Sequence, residues 1–193
     1  MTLSLKGQSK IAVTPTPING LLILEPTFFA DERGWLTESF NAQDFLIATN
    51  VATDFVQDNH SFSRNAVLRG LHYQLQKPQG KLIRVVAGAV FDVVVDLRKN
   101  SNTFGRWIAS HLSAQNNKQL WVPAGLAHGF LVLSDSAEVL YKTTDYYYPQ
   151  DEICLAWNDP TVKITWPLAV GATPNLNIKD SSGLSWDQAP KFE

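Results

Sequence analysis

Through the middle of the chain, apolar and polar positions alternate with a period of two. Between Val90 and Leu97, the side chains of Asp92, Val94 and Asp96 fall on one face of an extended segment, and Val93, Val95 and Leu97 on the other. This stretch lies within residues 81–98, KLIRVVAGAVFDVVVDLR, a run rich in β-branched residues and interrupted at Gly88, where a turn or bulge is expected. Further strand-like runs cover residues 20–25, 107–112, 119–122, 129–133 and 138–143. Helical spacing is scarce. It is fair only over residues 42–48, AQDFLIA, where Asn41 can cap the first turn and Phe45 and Leu46 can face a core. Many short strands separated by Gly, Pro, Asn and Ser predict an all-β antiparallel sandwich or barrel, one domain over residues 1–193. The polar last twenty residues are expected to wrap that domain rather than form another.

Composition narrows the function classes. A chain of 193 residues with 45% hydrophobic and 11% aromatic residues can bury a sizeable core without disulfides or a structural metal. A net charge of −2 speaks against a nucleic-acid coat or an anionic-membrane binder, both of which need a basic excess. No apolar run approaches the length of a signal peptide or a membrane span. Cys154 is the single cysteine, so a reducing, cytoplasmic compartment is the simpler expectation.

Two segments concentrate groups that do chemistry. In residues 67–82, VLRGLHYQLQKPQGKL, the side chains Arg69, His72 and Lys81 lie close in sequence, and Pro78 and Gly80 favour a turn that returns Lys81 toward His72. A guanidinium suits phosphate oxygens, and an imidazole titrates near neutrality and serves as a general base. If the segment stays extended, Arg69 and Leu71 share one face, and Gly70 and His72 the other. Each residue alone also reads as an ordinary surface cation or a hydrogen-bonded structural histidine. Asp92 has two readings as well: a carboxylate on a solvated sheet face, or one inside a polar cavity beside a cation.

The second segment is residues 122–130, VPAGLAHGF. Its Pro-x-Gly-x-x-His spacing marks a tight turn delivering His128 to the next strand, which is half of the signature of cupin barrels and raises a metal hypothesis. Metal-binding cupins carry His-x-His in their first motif, but this chain has His72-Tyr73-Gln74, and its other histidines are only His60, His111 and His128. That donor set falls short of the three or four ligands a transition metal needs.

Taken in order, the motifs DERGWLTESF, QDNHSFS, VLRGLHYQ, QGKLIRVVAGAVFDVVVDLR, TFGRW, LWVPAGLAHGF, AEVLYKTTDYYYP, ICLAWNDP, ITWP and NIKD resemble the dTDP-4-dehydrorhamnose 3,5-epimerase family over residues 20–180. The resemblance implies a metal-free, cofactor-independent cupin-type jelly roll with a few short peripheral helices, acting on dTDP-linked 4-keto-6-deoxy sugars. It implies that His72 is the base, oriented by Asp180, and that Tyr141 is the acid on the far face. Alone, Tyr141 reads as a half-buried strand tyrosine. Lys81 would sit at the developing oxyanion, supported by Asp92. Arg33 and Arg69 would bind diphosphate, and Glu38, Gln57 and Asn59 would recognise base, ribose or sugar hydroxyls. His128 would hydrogen-bond substrate, Tyr147 would line the sugar pocket, and Glu152 and Lys179 are further contacts. Homodimers are implied too, with residues 20–38 completing the partner's site, while residues 1–17 read as an N-terminal extension. A one-carbon epimerase, a catalytically silent sugar-nucleotide-binding module and a metal-dependent cupin remain the alternatives.

Overall fold

In the computed structural model, which describes residues 9–193, two antiparallel sheets face each other. The first joins, in spatial order, β1 (Ile11–Pro15), β2 (Leu22–Pro26), β10 (Gln119–Val122), β7 (Lys81–Ala87), β12 (Ser136–Thr143) and β5 (Gln57–Arg64). The second joins β13 (Glu152–Cys154), β6 (Leu68–Gln74), β11 (Leu126–Val132), β8 (Ala89–Asp96) and β9 (Trp107–Ser113). A separate hairpin pairs β3 (Phe28–Asp31) with β4 (Gly34–Thr37). No described helix is long and apolar enough to cross a membrane.

Gly88 is where the chain leaves one sheet for the other, since β7 and β8 belong to different sheets. Its φ is +72°, and a Cβ there would fall 2.0 Å from the Ser136 carbonyl oxygen, so only glycine fits the corner.

Period-two alternation sorts the side chains. Ile83, Val85 and Val139 from one sheet meet Val90, Val94 and Phe130 from the other, and this inter-sheet layer is the main core. Each fully buried Val, Leu, Ile or Phe contributes roughly 1.5–3 kcal/mol. The second sheet is covered on its outer face as well. Leu71, Val93, Val95 and Leu131 pack against Leu155, Val162, Trp166 and Ala189 of the C-terminal segment. That second cover explains why β8 is so uniformly apolar on its Val93–Val95 side. The tail is pinned by isolated pairings of Asn175 with Val67, Leu184 with Leu155 and Phe192 with Arg98.

The helix α1 (Ala42–Thr49) starts at Asn41, whose side chain accepts hydrogen bonds from the N–H groups of Gln43 and Asp44. Phe45 is buried against Leu24, Leu82 and Trp121 on the outer face of the first sheet, whereas Leu46 is only half-buried. Residues 11–15, assigned by sequence to an N-terminal extension, form the edge strand β1 of the first sheet; residues 1–8 lie outside the described part. A second helix, α2 (Ile178–Ser181), is a single turn in the tail.

Candidate active site

At one end of the sandwich the inward rows change from apolar to polar. On β12, Val139 gives way to Tyr141 and Thr143, and on β7, Val85 and Ile83 give way to Lys81. Gln57, Asn59 and Ser61 project inward from β5, while Arg69, His72 and Gln74 come from β6 and His128 from β11. These side chains surround a cavity of about 370 Å³, within the range of small-ligand pockets.

Arg69 and His72 both face this cavity, which corrects the alternation expected from sequence. His72 pairs with His128 and Arg69 with Phe130, so three steps along β6 span two along β11: a β-bulge. Gly70 takes up the bulge at φ +112°, and a Cβ there would lie 2.6 Å from both Gly129 Cα and the His128 carbonyl oxygen. The glycines of RGLH and AHGF thus meet face to face. Their close approach puts the guanidinium and the imidazole on one wall. Arg69 is held there by its Nε donating to Ser63 Oγ at 2.9 Å.

His72 Nε2 lies 2.7 Å from Asp180 Oδ1. The carboxylate sits off the line of a ring N–H, so the contact is a close approach rather than an aligned hydrogen bond. The Gly70 N–H also donates to Asp180 Oδ1, at 3.2 Å. Nε2 is buried on that side, which leaves Nδ1 toward the cavity, 3.7 Å from Glu152 Oε1. Glu152 is itself a hub. It accepts a 2.6 Å hydrogen bond from the Tyr147 hydroxyl and pairs with Lys179. Burial would raise its carboxyl, but Lys179, Tyr147 and His72 together hold it below the usual range. Tyr147 is raised, chiefly because its hydroxyl is bonded to that carboxylate.

Lys81 reaches in from the facing sheet, its Nζ donating to the His72 carbonyl at 3.4 Å. Burial lowers its ammonium to about 8, with Glu152 and Asp92 opposing the shift. Asp92 is fully buried beneath the cavity rather than lining it. It bonds His128, whose Nε2 lies 3.0 and 2.9 Å from its two oxygens, so it acts on Lys81 through its field and not by contact. His128 is therefore engaged on Nε2, and only Nδ1 is free for a ligand. Tyr141 stands on β12, in the sheet opposite His72, and its phenol is raised mainly by burial and next by Glu152. The imidazole and the phenol occupy opposing walls.

Two sequence candidates are not brought to this cavity. Arg33, at the exposed tip of the β3–β4 hairpin, pairs with Asp31 at 2.5 Å, and Glu38 pairs with Lys10 at 2.8 Å. Arg33 is exposed at the hairpin tip, and Phe29, Trp35 and Leu36 of the same hairpin are exposed too.

Sequence reasoning also missed several lining residues: Ser61, Gln74, Gln79, Thr143 and Asn177. Strand alternation carried a signal for three of them. Ser61 shares a face with Gln57 and Asn59, Thr143 with Tyr141, and Gln74 with His72. Gln74 occupies the place of the second histidine of metal cupins. It is buried and staples two loops instead, donating to the carbonyls of Lys77 and Tyr146 and accepting from the Tyr148 N–H. The ligand atoms of His72, Cys154 and Asp180 come within 4.8 Å of one another, the one described trio that could hold a metal ion. Burial and the nearby Asp180 push the Cys154 thiol up to about 12, which opposes the thiolate a metal would require.

The family model for dTDP-4-dehydrorhamnose 3,5-epimerase matches residues 15–188. Proteins of that name from Pseudomonas aeruginosa and Escherichia coli are 51% and 52% identical to the chain. The first alignment covers 93% of this chain and 98% of the relative, the second 91% and 95%. A crystal structure of dTDP-6-deoxy-D-glucose-3,5-epimerase from Legionella pneumophila, in complex with dTDP-4-keto-L-rhamnose, superposes with a TM-score of 0.89 at 46% identity, over 93% of this chain and 95% of that one. With its jelly-roll sandwich and its matched motifs, the chain belongs to the dTDP-4-dehydrorhamnose 3,5-epimerase family.

Proposed function

We propose that this chain is an isomerase that inverts C3 and C5 of dTDP-4-dehydro-6-deoxy-D-glucose to give dTDP-4-dehydro-L-rhamnose, using the acid–base chemistry of its own side chains. The observation that carries the reading is the pairing of His72, backed by Asp180, with Tyr141 across one cavity. A ketone at C4 acidifies the C–H bonds at C3 and C5. His72 takes the proton from one face and leaves an enolate, and Asp180 stabilises the resulting imidazolium. Tyr141 returns a proton to the other face, which inverts the carbon. Protons then pass from His72 to solvent and from solvent to Tyr141, so each turnover closes without net gain. Lys81 supports the charge that develops on the C4 oxygen.

Arg69 and Lys179 serve the diphosphate, and Gln57 and Asn59 the hydroxyls and base. His128 contributes its free Nδ1, and Tyr147 and Glu152 border the sugar. Lys179 must exchange Glu152 for phosphate oxygens when substrate enters. The same reading takes the enzyme as a homodimer in which the β3–β4 hairpin delivers Arg33 and Glu38 to the partner's cavity; a fully active monomer in solution would remove this part. The buried, unpaired Cys154 supports a cytoplasmic location.

The experiment is NMR of the 4-keto sugar nucleotide with enzyme in deuterated water. Deuterium at both C3 and C5 is expected. Label at one carbon would establish a one-carbon epimerase, and no label with nucleotide bound would establish a binding module.

The lysine adds a pH test. Its ammonium form is the one that stabilises an oxyanion, and it is lost as pH rises through about 8. We expect kcat/KM to fall on the alkaline side with an inflection near that value. In Lys81→Arg, where the cation persists, this limb should disappear even though the altered geometry slows the reaction. A flat profile from pH 7 to 9 would remove Lys81 from that role.

A further inference from the structure

Asp180 and Lys179 ride on the same four-residue turn, α2, which on its own has little reason to form. Helices this short are unstable in water because nucleation fixes several residues for one hydrogen bond. Apolar packing does not hold the turn either: Ile178 is 86% exposed, and Asp180 is its one buried residue. Beyond the contacts of the Asp180 carboxylate with Gly70 and His72, the turn is anchored at its flanks. Before the turn, Asn175 exchanges hydrogen bonds with Ala66 and Leu68; after it, Leu184 pairs with Cys154 and Ala156.

Between these anchors stands Asn177. Its side-chain oxygen accepts the Asp180 N–H at 2.7 Å, and its carbonyl accepts the Ser181 N–H at 3.0 Å. The side chain also lines the cavity. We infer that Asn177 is a positioning residue of the epimerase, setting through one cap both the carboxylate behind His72 and the ammonium at the cavity mouth. This inference rests on the roles proposed above for Asp180 and Lys179.

The cap has a specific chemical requirement, a short side chain with an acceptor oxygen, so substitutions can be graded. Asn177→Ala removes the acceptor. Asn177→Gln keeps the amide but places it one methylene too far out. Asn177→Ser restores an oxygen at capping distance. Misplacing a catalytic group by about an ångström costs up to ~100-fold in rate. We therefore expect Asn177→Ala and Asn177→Gln to lower kcat by about tenfold or more and to raise KM, with Asn177→Ser within roughly threefold of the parent.

A double-mutant cycle with Asp180→Asn separates positioning from general damage. In that background Asn177→Ala should cost less than about twofold in kcat, because the carboxylate it positioned is already gone. Its effect on KM, which runs through Lys179, should persist. Unchanged kcat and KM in Asn177→Ala, or an equal kcat loss with and without Asp180, would overturn the inference. So would a Gln variant as active as the Ser variant, a comparison that stands even if the Ala variant fails to fold. Full activity of Asp180→Asn alone would instead overturn the proposed dyad, and Asn177 would then be judged on KM by the same variants.

Discussion

His72→Asn should abolish deuterium incorporation at both C3 and C5, with kcat reduced by about 10²–10⁴, the range attributed to a positioned general base. One group serves both carbons in the proposed mechanism, so both exchange reactions should fall together. The substitution suits its surroundings. The Asn amide keeps a polar group at the ring's inner edge, and the buried Asp180 retains the Gly70 N–H as a donor when the imidazole is removed. The fold should therefore persist, and circular dichroism with nucleotide binding checks it. Exchange at the parent rate at either carbon would take His72 out of the chemistry at that position.

Tyr141→Phe should give a different signature. The imidazole, its carboxylate and Lys81 all remain, so proton removal and some return of label from the same face should continue. Delivery to the opposite face should fail, lowering formation of the inverted product by about 10²–10⁴ while exchange is partly spared. KM should change little, because the phosphate-binding side chains are untouched. Burial keeps the phenol protonated at neutral pH, so the lost function is that of an acid. Unchanged product stereochemistry, read by NMR, would count against it. Contrast between the two variants is the sharper result: loss of all exchange in one, and exchange without inversion in the other, requires two groups on two faces.

The architecture was legible along the chain where local rules govern. Alternation in residues 90–97, the break at Gly88 and the Asn41 cap of α1 all depend on neighbours within a few residues, and each appears in the fold where the pattern placed it. The motif order likewise exposed the family. Where local rules met a distant partner they failed. Extended alternation put Arg69 and His72 on opposite faces, but the meeting of Gly70 with Gly129 inserts a bulge and turns both inward. The turn read at Gly88 is present, but that it carries the chain from one sheet to the other depends on the strands on either side finding their hydrogen-bond partners elsewhere. Asp92 offered two readings, a solvated face or the lining of a polar cavity, and follows neither as stated: it is buried beneath the cavity, 2.9 Å from His128 of the neighbouring strand. Arg33 and Glu38 carried a family signal that their own chain's cavity does not use.

What the residues alone determined, then, was the strand-rich class, which follows from short-range periodicity, and the family, which follows from the order of its motifs; the reactive groups proposed above come from that resemblance. Only the folded structure decided which groups share a wall and which oppose each other. It bends the tail so that Asp180 comes behind His72 from more than a hundred positions away. The reason is that such proximity is settled by long-range pairing and burial, free energies summed over the whole sandwich and carried by no single segment.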